Sequence, residues 1–262
     1  MGAPYTTPKI YRACRTMTQF QNRRDAGQQL GAKILGDHKG LPLRDAIVTG
    51  DHKGLPLRDA IVTGDRKGLP LRDVIVLGIP RGGVVVAAEI ARVLHAPLDV
   101  FIVRKIRAPF NKELALGAVA SDGTVFLDQA LIHQLHIPQK LVELECENQK
   151  LEIQRRLQLY RRNKTSLALD NKIAILVDDG IATGATTIAA LRALKHSRPA
   201  RVILAVPVAP RQVVKDLRAE CDELVLLDTP EPFVAVGHFY EDFEQIMDSE
   251  VVELLERARD QF

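Results

Sequence analysis

The chain has 262 residues, of which 46% are hydrophobic and 26% are charged, as is typical of a globular protein large enough to bury a core. No apolar run approaches the roughly 18 residues of a membrane-spanning helix, and three dispersed cysteines without metal-site spacing (Cys14, Cys146, Cys221) favour a reducing cytoplasm. The net charge is +3, with 14 Lys and Arg against 7 Asp and Glu in residues 1–81, a bias too mild to predict nucleic-acid binding.

The first 16 residues differ in character from the rest, and we expect them to form a disordered tail. Met17 is an alternative start, which would make residues 1–16 a mis-assigned extension. Met1-Gly2 with Thr6 formally matches a myristoylation pattern, and the Arg-containing, acid-free stretch that extends to Arg24 has weak transit-peptide character. From residue 17 to residue 262 we expect a single domain.

A tandem repeat of 14 residues occupies 36–49, 50–63 and 64–77, and its first two copies are identical. Only the third copy runs directly into the following Gly-rich loop, so its strand at 74–77 is predicted to join the main sheet. The first two copies are interpreted as an expansion within a surface connection, where extra length costs little closure entropy. Alternatively, their strands pair with each other or with a second subunit.

After the repeat, apolar strand segments alternate with helical ones. Strands are predicted at 74–77, 98–103, 124–127, 172–177, 201–206 and 223–227, and helices at 83–95, 128–135, 139–162, 186–196, 210–219 and 248–259. This alternation predicts an α/β fold with a mostly parallel twisted sheet flanked by helices. Ligands of such sheets bind at the carboxyl ends of the strands, where the loops at 78–83, 104–122 and 178–187 fall.

The first of these loops reads G-I-P-R-G-G, follows a strand and opens a helix. Backbone N–H groups at a helix start, together with Arg81, favour an anion. A Gly-rich turn carrying a surface arginine is the alternative interpretation.

The second loop, 104–122, concentrates basic residues at a strand's carboxyl end: Arg104, Lys105, Arg107 and Lys112. Such a run is usually a solvated face. This segment also contains Pro109 and Gly117, and we expect it to be a long loop that is able to move. Glu113 is a candidate to bind magnesium or to orient Lys105, and an ordinary helix-surface glutamate is the alternative.

The third loop follows an apolar strand at 173–177 that ends in Asp178 and Asp179. Residues 180–187 (G-I-A-T-G-A-T-T) are small and precede an apolar helix. Their N–H groups, hydroxyls and helix dipole favour a phosphate, and two carboxylates suit vicinal ribose hydroxyls. A Gly-Lys-Ser/Thr sequence is absent, which argues against a Walker A loop, and the acidic pair precedes the glycines, which argues against a dinucleotide site. An ordinary strand–loop–helix turn is the alternative.

This segment resembles the phosphoribosyl-diphosphate (PRPP) motif of type I phosphoribosyltransferases, and the resemblance covers most of residues 17–262. The chain is similar to predicted bacterial members whose acceptor is unassigned, which share Asp25-Ala26-Gly27, the P-R-G-G and V-R-K loops and a long Arg-rich helix. The resemblance implies that Asp178 and Asp179 hold the ribose. The 5′-phosphate would be held by residues of the loop: Gly180, Ala182, Thr183, Gly184, Ala185, Thr186 and Thr187. Pyrophosphate would be held by Pro80, Arg81, Gly82, Arg104 and Lys105, and the catalytic set would be Arg104, Lys105, Asp178 and Asp179.

The same resemblance places a hood over the site, in the C-terminal segment at about 228–262. Phe233 and Val234 are the candidates to bind the base, although Phe233 and Phe239 equally suit core aromatics. Where enzymes that use 6-oxopurines carry an Asp in the PRPP loop, this chain has Ala182. The loop therefore supplies no general base, and the acceptor stays open.

The resemblance implies transfer of a phosphoribosyl group from PRPP to a nitrogenous base, with a purine as one candidate, and release of pyrophosphate. Mg²⁺ would act mainly through PRPP and water. We expect a cytoplasmic homodimer that engages neither nucleic acid nor membrane. The alternatives are a regulator that senses PRPP or nucleotides on the same fold, and a catalytically weakened member.

Overall fold

The computed structural model describes residues 20–37, 73–162 and 164–260, and the side chains of Asp37, Lys112 and Glu113 are not among those described. The tail predicted at 1–16 lies outside this part of the chain. So do the first two repeat copies, apart from residues 36–37 at the end of the first helix.

The described residues form seven helices and eight strands. The helices are α1 Arg23–Asp37, α2 Gly82–Leu94, α3 Gln129–Gln134, α4 Gln139–Arg161, α5 Ala185–His196, α6 Arg211–Glu220 and α7 Asp248–Arg259. The strands are β1 Val74–Gly78, β2 Leu98–Val100, β3 Val103–Ala108, β4 Asn111–Ala120, β5 Val125–Leu127, β6 Ile173–Val177, β7 Arg201–Val208 and β8 Glu223–Asp228. A short 3-10 helix covers Val236–Phe239. Each of these described helices is too short or too polar to cross a lipid bilayer.

The main sheet has five parallel strands in the order β2-β1-β6-β7-β8. The chain passes from β1 outward to β2 on one side and later enters β6 on the other side. The boundary between β1 and β6 is therefore the topological switch point, where ligands of such sheets bind. This arrangement confirms the predicted α/β fold, including the strand of the third repeat copy, which is β1.

A second sheet is antiparallel, with the order β3-β4-β5. It corrects the prediction of a long loop at 104–122, because that segment is mostly the β3–β4 hairpin, turning at residues 109–110. The strand predicted at 98–103 also ends early, at Val100. Val103, Ile106 and Ala108 of β3 are buried between more exposed basic residues, and pairing with β4 satisfies the backbone groups that a loop would leave to water.

Successive side chains of the main-sheet strands point to opposite faces and pack into two hydrophobic clusters. Val74 and Val76 face the cluster formed with α1, α2, α4 and α7, whereas Ile75 and Leu77 face the cluster formed with α5 and α6. A third cluster joins Phe20 to the segment that follows β8. This last cluster includes Val208, the last residue of β7, and its Tyr240 contacts Asp179 of the site described next.

Candidate functional site

Two of the predicted loops leave the sheet side by side. Gly78, the last residue of β1, pairs with Val177, the last residue of β6, and the Ile79 amide donates to the Val177 carbonyl at 2.9 Å. A Cβ on Gly83 would lie 2.7 Å from the Val177 carbonyl oxygen and 2.9 Å from the Asp178 Cα. Glycine at position 83 therefore allows the loop at 78–83 to contact the acidic strand end directly.

The acid pair, Asp178 and Asp179, stands at this junction. The Asp178 carboxylate accepts a hydrogen bond from the Asp179 amide at 2.9 Å. Burial raises the pKa of Asp178 well above its ordinary value of 3.8, and the charge of Asp179 raises it further. The two adjacent carboxyl groups at this strand end offer several oxygen atoms that can accept hydrogen bonds from hydroxyl groups.

Asp179 is held by residues from distant parts of the chain. Arg23 of α1 is only 8% exposed and donates from Nε to the Asp179 Oδ2 at 2.7 Å. The same guanidinium lies 3.7 Å from the centre of the Phe243 ring and donates to the Glu244 carbonyl at 2.8 Å. The Tyr240 hydroxyl donates to the Asp179 backbone carbonyl at 2.6 Å. The carboxylate and the backbone carbonyl of Asp179 are therefore both held by side chains from outside its own loop.

The loop at 180–187 leads into α5 as predicted. Gly184 takes a left-handed φ of 77° and its carbonyl accepts the Ile188 amide at 2.8 Å. The N–H groups of residues 185–187 precede that first helical bond and have no partner within the helix. Ala182, Thr183 and Ala185 are exposed, and Thr186 is half-buried. These groups can cradle a phosphate.

Thr187 differs from the other residues of this loop because its side chain is only 2% exposed. Its predicted hydroxyl contact with a phosphate would require the loop to change shape. The geometry still allows the backbone N–H of Thr187, at the start of α5, to contact a phosphate.

The loop with Pro80 and Arg81 borders helices as well as strands. Arg81 directly precedes α2, and its carbonyl accepts the Val84 amide at 3.1 Å. The Pro80–Arg81 peptide bond is cis. Burial and a 2.6 Å hydrogen bond to Asp248 raise the pKa of Tyr160 to about 12, and the nearby charge of Arg81 acts in the opposite direction. The charge of Arg81 is thus felt at Tyr160 of α4, while its neighbours Gly82 and Gly83 approach the acid pair.

Arg104 and Lys105 occupy consecutive positions of β3, so their side chains leave opposite faces of the hairpin. Arg104 donates from Nε to the Gln149 Oε1 of α4 at 2.9 Å. Burial lowers the pKa of Arg104, and the neighbouring positive charge of Arg156 lowers it further. Arg104 and Lys105, which were both predicted to bind pyrophosphate, therefore lie on opposite faces of the hairpin.

The segment after β8 contains the predicted base-binding residues. Phe233 is half-buried and its ring centre lies 5.0 Å from that of Phe239, which is 1% exposed. Phe239 is thus the core aromatic that the alternative interpretation anticipated. Val234 is 72% exposed, so its side chain is open to a ligand.

The described residues of this site supply too few ligands to bind Mg²⁺ by themselves. Carboxylate oxygens of the acid pair are of the hard type that Mg²⁺ prefers. Among the described residues, no three or more His, Cys, Asp or Glu side chains are placed to enclose a metal ion. The donor set therefore suits a cation bound largely by substrate oxygens and water.

Arg23, Tyr240 and Phe243 are residues of this site that the sequence alone did not identify. The available signal was Asn22-Arg23-Arg24, which directly precedes the Asp25-Ala26-Gly27 triplet of the resemblance. Arg23 and Asp179 are separated by 156 positions in the sequence, so no local pattern reveals their contact.

Comparisons with known proteins point to one protein family. A family model described as "Phosphoribosyl transferase domain" matches residues 57–243. Two Mycobacterium tuberculosis proteins named "Putative phosphoribosyl transferase", MT0597 from strain CDC 1551 / Oshkosh and Rv0571c from strain ATCC 25618 / H37Rv, are each 44% identical over 184 residues. These alignments cover 70% of this chain but 42% of each relative, so the chain spans less than half of their length.

A solved structure is similar along nearly its whole length. The crystal structure of TT1426 from Thermus thermophilus is 36% identical, covers 91% of this chain and 98% of that chain, and has a TM-score of 0.72. The family model covers well over half of the sequence and includes all three loops of the site. The chain therefore belongs to the phosphoribosyl transferase domain family.

Proposed function

We propose that this protein transfers the phosphoribosyl group of PRPP to a nitrogenous base and releases pyrophosphate. The observation that carries the proposal is the convergence of two loops at the switch point between β1 and β6. One loop brings a Gly-rich helix start with Arg81, and the other brings the acid pair and the start of α5. An anion site on each side of a diol-binding acid pair matches the two charged ends and the ribose of PRPP.

The N–H groups of residues 185–187 and the hydroxyls of Thr183 and Thr186 would hold the 5′-phosphate. Binding energy at this unreactive end fixes the anomeric carbon in place for attack. Asp178 and Asp179 would accept the ribose hydroxyls and offset positive charge that grows on the ribose ring. No covalent bond to the protein is needed in such a displacement.

The leaving pyrophosphate would be stabilised by preorganised positive charge and N–H groups. Arg81 and Gly82 lie at the start of α2 beside the acid pair, and they are the residues best placed for this role. Because Arg104 and Lys105 lie on opposite faces of β3, we propose that one of them contacts pyrophosphate while the hairpin is in this shape. The loss of water around the site would strengthen each of these contacts.

Magnesium belongs to this proposal, bound mainly by oxygens of PRPP and by water. The ion would neutralise charge on the pyrophosphate. We further propose Phe233 and Val234 as contacts for the base, a cytoplasmic location and a homodimer. The acceptor base stays open, since Ala182 offers no acidic group to it.

The test is pyrophosphate release from Mg-PRPP with a panel of purine and pyrimidine bases. We expect release with at least one base, and a decrease of roughly 10²–10³-fold in the Asp178→Asn/Asp179→Asn variant because the ribose charge is no longer offset. Asp228→Asn is the matched control. It changes an aspartate at the end of β8 that likewise accepts from the next amide, at 2.7 Å, and should retain full activity.

Absence of release with every base, while Mg-PRPP still binds, would contradict the enzymatic proposal. That result would favour the regulator that senses PRPP. Absence of both release and binding would contradict the assignment of the two loops to PRPP.

A further inference from the structure

Arg23 occupies a defined position because the helix that carries it has a defined start. The Asn22 side chain accepts the amides of Arg24 and Asp25 at 3.0 and 3.1 Å, which caps α1. The Asp25 carboxylate in turn accepts the Gln21 amide at 3.1 Å. Arg23 is thus the first residue of a capped helix, and the cap determines where its side chain leaves the backbone.

The ion pair between Arg23 and Asp179 is packed against the loop at 78–83. A Cβ on Gly82 would lie 1.9 Å from the Asp179 Oδ2 and 2.7 Å from the Arg23 Nε. Only a glycine at position 82 leaves room for this pair. The carboxylate therefore has little freedom to rotate away from its partner.

The same unit also holds the backbone of Asp179. The Phe20 amide donates to the Phe239 carbonyl, and the Phe20 carbonyl accepts the Glu241 amide, both at 2.8 Å. These bonds tie the chain just before α1 to the segment that carries Tyr240, whose hydroxyl contacts the Asp179 carbonyl. Side chain and backbone of Asp179 are thus constrained by one structural unit.

We infer that Arg23 is a positioning residue for ribose recognition, an inference that rests on the proposed function. By engaging Oδ2 of Asp179, Arg23 directs the other carboxylate oxygen, Oδ1, toward the ribose hydroxyls beside Asp178. A buried ion pair contributes little to stability relative to apolar side chains of the same size. An orienting role explains its place at the edge of the acid pair.

The experiment measures calorimetric affinities for ribose 5-phosphate, 2-deoxyribose 5-phosphate and inorganic phosphate. We expect Arg23→Gln to weaken ribose 5-phosphate binding by about tenfold or more, because misplacement of a contacting group reduces binding and rate strongly. Affinity for inorganic phosphate should be unchanged, so the preference for the sugar with both hydroxyls should decrease. Arg23→Lys, which keeps the charge, should restore part of that preference.

Arg24→Gln is the matched control. Arg24 is the next residue of α1 and forms long ion pairs, 4.0 Å to Glu89 and 3.9 Å to Glu250. Its side chain is half-exposed, and we expect its removal to leave all three affinities unchanged. A loss shared by Arg23→Gln and Arg24→Gln would overturn the inference, since it would indicate a general effect on α1.

A double-mutant cycle separates positioning from stability. In an Asp179→Asn background, Arg23→Gln should cause no further loss of ribose 5-phosphate affinity, because its target is already changed. This double variant also avoids an unpaired buried charge, so it remains informative if Arg23→Gln alone fails to fold. A further loss in the double variant, or an unchanged hydroxyl preference in Arg23→Gln, would overturn the inference.

The outcome for the wild-type protein keeps the two hypotheses apart. If the wild type binds neither Mg-PRPP nor ribose 5-phosphate, the proposed function is wrong. If the wild type binds both and Arg23→Gln retains the same hydroxyl preference, the proposed function stands and Arg23 has no positioning role.

Discussion

At the scale of single residues, Asp178 links stability to function. Its pKa is raised in the folded protein by burial and by Asp179. The folded state therefore binds this proton more tightly than the unfolded chain does. Between the ordinary value of 3.8 and the raised value, the free energy of unfolding decreases as pH increases. The adjacent carboxyl groups thus lower stability at neutral pH.

We predict that Asp178→Asn is more stable than the wild type at pH 7, because asparagine cannot become charged. The gain in Tm should be a few degrees, given about 2–4 °C for each kcal/mol in a chain of this size. It should vanish toward pH 4, where Asp178 is protonated in the folded protein. Thermal denaturation across this pH range measures the difference.

Asp228→Asn is again the control, here for placing an amide at a strand end. A wild type that is more stable than Asp178→Asn at pH 7 would contradict the prediction. A difference that does not increase with pH would contradict it as well.

At the scale of elements, α1 reaches the site because it packs closely on α2. Ala26, Leu30 and Ile34 follow one another at intervals of four and are fully buried. A Cβ on Gly27 would lie 2.7 Å from the Val86 carbonyl oxygen of α2. This short approach sets the position of α1, and with it the position of Arg23.

We predict that Gly27→Ala lowers the free energy of unfolding by about 1–2 kcal/mol, because overpacking outweighs the higher helix propensity of alanine. Denaturant unfolding measures the change. Gly36→Ala is the matched control in the same helix, since a Cβ there would have no neighbour within 4 Å. It should leave stability unchanged or slightly raised, and equal effects of the two substitutions would contradict the packing argument.

At the scale of the whole molecule, the tandem repeat connects α1 to β1 along the chain. Residues 38–72, which hold most of it, lie outside the described part of the chain. The family model begins at residue 57, within the second copy. The interpretation of the first two copies as an expansion in a surface connection therefore stays a prediction.

We predict that a variant lacking residues 36–63 folds and binds Mg-PRPP as well as the full chain does. The deletion removes two complete copies and leaves Gly64-Asp65 in place of Gly36-Asp37, so the sequence at the end of α1 is preserved. Thermal denaturation and PRPP calorimetry on both proteins measure the effect. Loss of solubility or of PRPP affinity would mean that the extra copies are structural.

Local sequence determined the strands that hold the site and the residues at their ends. The apolar runs of β1 and β6, each followed by small residues and a helix, indicated parallel strands with loops at one edge of the sheet. Asp178 and Asp179 were predicted because their chemistry and their place at a strand end both lie within one short segment. The family followed from the same contiguous pattern, and the family model confirms it.

Tertiary structure alone decided which side chains meet. The contact of Arg23 with Asp179 joins elements that are far apart in the chain. The division of Arg104 and Lys105 between two faces and the burial of Thr187 are likewise properties of the folded chain that the local motifs did not predict. A run of basic residues predicted a loop at 104–122, yet pairing between β3 and β4 satisfied the backbone and made it a hairpin. Local patterns report what each segment can form, whereas packing between distant segments selects the form and sets the direction of each side chain.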